Sequence, residues 1–395
     1  MTKTAILIPD GESSFAKFVV LCLSSNKHIE INVLSKKPKA PIRRSRYIKS
    51  FTVYDRNAIE SSPNHIPNTG SATLDELIRY HYYDETRSQQ LLDQIIRQAH
   101  KTKSTIIVPV DDHILKILTA HLDKLKAAGL SFLLPEHTDF LVGVNKWKLS
   151  QFLFSKGVPH PFTKSIEGSV DDEVLKDLTF PVLIKPDDAG NGRGIRSFQT
   201  EQQLKSYFEH HKDQKDHYIV QPLIDGYDID CSVLCKDGKV LAYTIQKGIV
   251  SSKEAFHAAI GIEFLHNDEV ISVVRRMMGL LNWSGVAHID LRYDTAAKEI
   301  KVIEINARYW GSILGSLKVG INFPELAIKL AKGESIPSLD YREERYFMGK
   351  SPIGKLLKRE THFRNTSLYY SMRDPGPVLS EFLDKLSRKI KHRFK

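Results

Sequence analysis

The sequence predicts an α/β protein: a parallel-sheet domain followed by a mixed α+β unit. Three observations carry this. The 395 residues suffice for two or three domains. Short apolar strands alternate with amphipathic helices through about residue 135, the pattern of a parallel sheet. From about 138 to 339 the strands instead include turn-linked antiparallel pairs.

Each element has its own justification. Ala5–Ile8 reads as a short buried strand, followed by the turn Pro9-Asp10-Gly11 and a helix containing Phe15, Phe18, Val19, Cys22 and Leu23. Ile29–Leu34 is the next strand, Ser61–Ser71 a loop, and Thr105–Val110 a further strand before a helix from about His113 to Ala128. Asn145 caps a helix reaching Lys156, ended by Gly157 and Pro159. Val182–Lys185 is a strand, Thr200-x-x-Gln203 a capping box, and Tyr218–Gln221 another strand. Asp237-Gly238 marks a hairpin between Ile229–Cys235 and Val240–Ile245. A helix ends at Arg276–Leu281, and the alternating strands Val286–Tyr293 and Lys301–Arg308 follow. The domains expected are 1–137, 138–339 with a hinge near 221–228, and a basic extension over 340–395.

Composition narrows the function. Lys and Arg total 57 against 47 Asp and Glu, and 14 of those cations with 7 acids lie beyond residue 339. The body is therefore nearly neutral, which argues against a nucleic-acid binder whose charge lies along the fold. Three cysteines exclude a disulfide framework and suit a reducing compartment. Acidic Asp10 and Glu12 after one short apolar run do not read as a signal peptide, and no run reaches the ~20 residues of a membrane span. A cytoplasmic protein is expected, with the oligomeric state left open.

The last two strands carry the strongest chemistry. His288, Asp290 and Arg292 share one strand face, and Glu304, Asn306 and Arg308 share another, with Ile303, Ile305 and Ala307 opposite. A hairpin loop centred on Ala297 sets Asp290 opposite Glu304 and His288 opposite Asn306. Facing carboxylates repel unless a cation lies between them, and Asp, Glu and Asn are oxygen ligands suited to Mg²⁺. A solvated polar face is the alternative. Gly190, Gly192 and Gly194 alternate after the strand ending in Lys185, which suits a lid with exposed N–H groups or a plain surface turn. Lys146 sits in a helix first turn, where a cation opposes the dipole unless an anion adjoins it.

Taken in order, these features resemble the ATP-grasp superfamily, on the branch of carbamoyl-phosphate synthetase and biotin carboxylase. The carriers are Leu183-Ile184-Lys185-Pro186 with the glycines after it, Leu149–Pro161, and Glu304-Ile305-Asn306-Ala307-Arg308. The resemblance covers about residues 1–335 and implies a pre-ATP-grasp domain ahead of a grasp of two α+β subdomains. It implies that Lys146 and Lys185 hold ATP phosphates, with Gly190, Gly192 and Gly194 as the mobile loop. Gln221, Pro222 and Ile224 would line adenine and Asp228 would bind ribose, although Gln221 stands where many relatives have Glu. Asp290, Glu304 and Asn306 would hold Mg²⁺, with Mn²⁺ as a substitute, and Ala307 replaces a frequent Pro. Lys185 and Arg308 are the catalytic candidates, Arg308 facing the transferred phosphoryl group.

The activity implied is ADP-forming ligation of a small-molecule carboxylate to an amine through an acyl phosphate. The alternatives are a regulatory nucleotide binder without ligation and a basic nucleic-acid binder. Tyr309-Trp310-Gly311-Ser312 is the one pointer to a substrate pocket, and it equally suits interface packing. Finally, Leu379, Phe382, Leu383, Leu386, Ile390 and Phe394 recur at helical spacing among basic residues. Segment 379–395 therefore either lies on an anionic membrane or docks its stripe on the protein's own body.

Overall fold

The structure, a computed structural model, describes residues 3–55, 85–187, 192–211, 217–252, 256, 258–349 and 352–393. The expected loop 61–71, Gly190, Phe394 and Lys395 lie outside the described residues.

The N-terminal part is a parallel sheet of β1 (Thr4–Ile8), β2 (Ile29–Ser35), β3 (Ile48–Val53) and β4 (Ile106–Ile107), in the order β3-β2-β1-β4. Both its faces are covered, as parallel sheets require. Ile6 and Ile8 join the core under helix Ala16–Leu23, while Leu7 packs toward helix Glu85–Lys101 on the other side. β4 is shorter than expected. Beyond it the N–H groups of Val110 and Asp111 turn to the buried carboxylate of Asp10, at 2.9 and 2.6 Å. The single helix expected over 113–128 is two, Asp112–Thr119 and Leu122–Ala127, because His121 leaves helical angles at φ −134° and ψ 33°.

A smaller sheet follows, built from β5 (Lys164–Ile166), β6 (Val182–Pro186), β7 (Arg196–Phe198) and β8 (Tyr218–Pro222) in the order β5-β8-β6-β7. Val182, Ile184, Phe198, Val220 and the helix residues Leu204 and Phe208 form its own core. Thr200 caps that helix by accepting from the Gln203 N–H, and Gln203 Oε1 returns to the N–H of Gln199 at 2.9 Å.

The large antiparallel sheet contains β9 (Gly226–Lys236), β10 (Lys239–Val250), β11 (Gly261–Leu265), β12 (Gly285–Asp294), β13 (Glu299–Asn306) and β14 (Arg345–Phe347), ordered β13-β12-β9-β10-β11-β14. Asp237 and Gly238 both have positive φ (49° and 74°), the two-residue turn the sequence predicts. Cys231 and Cys235 are free and buried with Ile229 and Val233, as expected of an apolar strand face. Gly226 begins β9 at φ +153°, and a Cβ there would sit 1.8 Å from the Tyr293 carbonyl oxygen, so the approach of β9 to β12 admits no side chain.

One boundary and one strand register differ from expectation. β14 lies within the segment expected as a separate extension from Asp340, yet it pairs with β11. Tyr341 is buried, donates to the Leu265 carbonyl at 2.6 Å and accepts from the Ile245 N–H at 3.1 Å, so the grasp sheet runs past residue 339. Within the β12–β13 hairpin, Asp290 opposes Glu304 and His288 opposes Asn306 as expected. Leu291, however, opposes Val302, which leaves Ile303 as an extra residue. The buried side of β13 accordingly changes parity. It comprises Ile300 and Val302 before the bulge and Ile305 and Ala307 after it, and Ile303 is only half-buried.

The chain ends in helices Pro352–Leu357, Ser367–Arg373 and Pro375–Arg393. Among the described residues no helix is long and apolar enough to cross a membrane.

Candidate active site

Three neighbouring strands present one polar face. Asp228, Asp230 and Ser232 of β9 stand opposite Arg292, Asp290 and His288 of β12, and β13 adds Glu304 and Asn306. The alternate residues of β9 and β12, Ile229, Cys231 and Val233 with Ala287, Ile289 and Leu291, pack the core beneath, which holds the polar set rigidly outward.

Two lysines meet this face. Lys146 opens the helix Lys146–Ser155, which Asn145 caps by accepting the Lys148 N–H at 2.9 Å. Its Nζ lies 3.2 Å from Glu304 Oε2, so a carboxylate offsets the cation that the helix dipole disfavours. The Lys146 N–H donates to the Asp187 carbonyl at 2.9 Å, joining this helix to the lip of the small sheet. Lys185, on β6, is buried, and burial lowers its ammonium to about 8 despite Glu304 nearby. The two lysines thus converge on Glu304 from separate elements.

The carboxylates respond in opposite ways. Burial, reinforced by Glu304 and Asp230, pushes the Asp290 carboxyl well above its usual range. Burial also acts on Glu304, yet Lys146, a hydrogen bond from Asp290 and Lys185 outweigh it and hold Glu304 at about 2. Burial raises Asp230 to about 7 although Gln246 Nε2 donates to it at 3.1 Å. Ser312 Oγ in turn donates to Gln246 Oε1 at 2.7 Å. His288 is held neutral by burial and by Arg308, at about 3. Its Nδ1 meets Ser232 Oγ at 2.9 Å, its Nε2 lies 3.5 Å from Asp290 Oδ1, and its ring stacks on Trp310.

Arg308 reaches from the hairpin to the N-terminal domain. Its guanidinium is buried and donates Nε to Asp112 Oδ2, Nη1 to the Tyr309 carbonyl and Nη2 to Asn306 Oδ1, each at 3.0 Å. It lies over the Phe15 ring at 4.7 Å. The helix Asp112–Thr119 starts just past β4 and carries Asp112 in its first turn, so the N-terminal domain supplies Arg308's counter-ion.

The hinge residues are spread out. Gln221 is buried and donates to Thr163 Oγ1 at 2.9 Å, and Pro222 closes β8. The Ile224 carbonyl accepts from Arg292 Nε at 2.9 Å, and Arg292 Nη1 pairs with the largely exposed Asp228. Gly192 has φ +70° and a Cβ would fall 2.5 Å from the Phe256 carbonyl oxygen; Gly194 packs beside Pro186. Sequence reasoning missed Asp230, Gln246 and Asp112, and reached Ser312 only as the last residue of the pocket pointer Tyr309-Trp310-Gly311-Ser312. The alternation in Asp228–Val233 was a signal for the first, since Asp230 falls between core residues.

The donor set fits a hard cation. Asp290 and Glu304 bring facing oxygens, and the Asn306 carbonyl oxygen, which already accepts from Arg308, keeps a second lone pair.

Comparison with known proteins agrees with this geometry. Residues 144–312 match the profile of the ATP-grasp domain. The carbamoyl-phosphate synthase of Methanobrevibacter smithii is 26% identical over 221 residues, covering 53% of this chain and 59% of that protein. The D-alanine–D-alanine ligase of Acetivibrio thermocellus is 25% identical over 215 residues, 48% of this chain and 57% of the ligase. The chain thus spans somewhat over half the length of these two relatives. Among solved structures, N5-carboxyaminoimidazole synthetase from Staphylococcus aureus, complexed with ADP, superposes with a TM-score of 0.66 at 14% identity, covering 91% of this chain and 85% of that one. Biotin carboxylase from Campylobacter jejuni gives 0.63 at 16% identity, over 86% and 72%. Residues 144–312 are an ATP-grasp domain, similar in sequence to part of carbamoyl-phosphate synthase, and the chain shares its fold with biotin carboxylase.

Proposed function

We propose that the protein is an ADP-forming ligase that activates a small-molecule carboxylate as an acyl phosphate and joins it to an amine. The observation that carries this reading is the convergence of Lys146 and Lys185 on Asp290 and Glu304, in a cleft between two sheets of an ATP-grasp domain. Its relatives by name include a synthase and a ligase.

In this reading Lys146 exchanges its contact with Glu304 for the phosphate oxygens of ATP, and Lys185, drawn electrostatically by the same carboxylate, joins it there. Asp290, Glu304 and Asn306 would hold Mg²⁺, which supplies neutralisation of charge on those oxygens. A carboxylate oxygen of the substrate bonds to the γ-phosphorus as the bond to the β-phosphate oxygen breaks, and ADP leaves. The amine nitrogen then bonds to the acyl carbon, inorganic phosphate leaves, and the nitrogen loses a proton. Asp230 Oδ2, on a carboxyl that titrates near 7, suits uptake of that proton. No covalent enzyme nucleophile is required, since positioning and charge neutralisation supply the catalysis. The free, buried cysteines suit a reducing cytoplasm.

ADP release from ATP, screened over pools of carboxylates and amines, tests the proposal. Substrate-dependent release that Glu304→Gln abolishes supports it. ATP binding with no pool giving release favours a regulatory nucleotide-binding role.

A further inference from the structure

We propose that the C-terminal helix and the basic segment 36–49 together form a docking surface for an anionic lipid membrane. The inference is independent of the catalytic reading.

The sequence leaves two fates for the apolar stripe, and the structure separates them. Helix Pro375–Arg393 is fastened to the N-terminal domain, but by other residues. Asp374 accepts from Ser45 Oγ at 2.5 Å and from the Arg46 N–H at 3.2 Å, and Tyr47 Oη donates to the Arg373 carbonyl at 2.9 Å. Gly376 packs on the Arg44 carbonyl, Pro377 is buried, and Glu381 pairs with Lys17 at 2.5 Å. Val378, Leu379, Phe382, Leu383 and Leu386 are left exposed, Phe382 at 61%. The stripe is thus unpartnered while the helix itself is anchored.

Charge identifies the occupant. The segment on which the helix is fastened, residues 36–49, holds seven Lys or Arg and no acid. Lys39, Arg43, Arg44, Arg46 and Lys49 of it are exposed. The helix's own end, 385–393, adds five more cations and no acid. Folding therefore brings two basic segments, more than 300 residues apart in the chain, beside one apolar stripe. A second copy of this chain would bring the same cations against themselves. A polyanion alone would leave Leu379, Phe382 and Leu383 in water. An anionic bilayer surface satisfies both, taking leucine and phenylalanine into the acyl boundary and lysine and arginine at the headgroups. In this proposal the helix lies on the bilayer surface, since among the described residues no helix is long and apolar enough to cross a membrane.

The test is co-sedimentation of the full chain with vesicles of phosphatidylglycerol and phosphatidylcholine, against vesicles of phosphatidylcholine alone. Binding is expected only to the anionic vesicles and is expected to weaken steeply with salt. L379S/F382S/L383S/L386S should lower the partition coefficient at least tenfold. K39A/R43A/R44A should lower it by roughly a hundredfold, at about fivefold per basic residue near the surface. Unchanged far-ultraviolet dichroism and melting show that either variant remains folded. The proposal is overturned if the wild-type chain stays in the supernatant, or if it binds phosphatidylcholine equally well. It is overturned too if analytical ultracentrifugation shows a dimer that the stripe variant dissociates while vesicle binding is absent.

Discussion

Arg308 of the grasp hairpin donates its Nε to Asp112 of the N-terminal domain at 3.0 Å, so the residue beside the acidic cleft is also a tie between two domains. A buried guanidinium with three acceptors is preorganised, and in the proposed reaction its remaining N–H groups would meet the acyl phosphate.

Arg308→Lys should therefore keep Mg-ATP affinity within a few fold and cut ligation by ~10²–10³. Asp112 is 46% exposed at the side chain, so Asp112→Asn should lower stability by only about 1 kcal/mol. Nucleotide affinity and substrate-dependent ADP release, measured on the same preparations, decide the matter. Unchanged ligation in Arg308→Lys would remove Arg308 from the reaction and leave it the interdomain tie alone.

Lys185→Ala should weaken ATP binding by roughly 10–100-fold, the range for losing one charged hydrogen bond. The readout is the ATP-dependent rise in melting temperature, and an undiminished rise would show that Lys185 does not touch the phosphates.

His266 predicts a pH dependence of stability. Its ring nitrogens meet Glu343 Oε1 and Asp340 Oδ1, both at 3.1 Å, and burial, which opposes protonation, is outweighed by these two acceptors. Its folded pKa thus exceeds the ordinary 6.5, and the contribution is complete below that value and lost as pH rises through the folded pKa. The two carboxyls are lowered, so their part is lost as pH falls below their ordinary 3.8 and 4.5. His266→Gln should narrow the melting temperature gap from wild type as pH rises from about 5.5 to about 9. A gap independent of pH would assign His266 to packing on Tyr341 alone.

Gly226→Ala should destabilise by more than about 2 kcal/mol, since a Cβ 1.8 Å from the Tyr293 carbonyl forces β9 and β12 apart. Thermal unfolding reads this directly. A variant with unaltered melting would show that the strands can separate at the hinge without loss.

The sequence carried the fold class, the hairpins and the Asp290–Glu304 opposition because these follow from alternation and turn residues, which are local. What it did not carry is whatever depends on an encounter between distant segments. Nothing near Arg308 announces Asp112, almost two hundred residues earlier. Tyr341 reads as the start of a tail, although its hydroxyl is buried between β10 and β11. The bulge at Ile303 also hid, since a β-branched apolar residue looks the same in and out of register.

That bulge gives the acidic cleft an arithmetic of its own. If Ile303 instead paired as an ordinary strand residue, Glu304 and Asn306 would continue the side of Val302 and point into the apolar layer. Removing the single codon for Ile303 would by contrast leave an unbroken alternation, Val302 inward and Glu304 outward, with both groups still facing the cleft. Substitution or loss of residue 303 should thus be borne readily, because what holds the cleft is the pairing of Asp290 with Glu304 and not the number of residues between Val302 and Glu304.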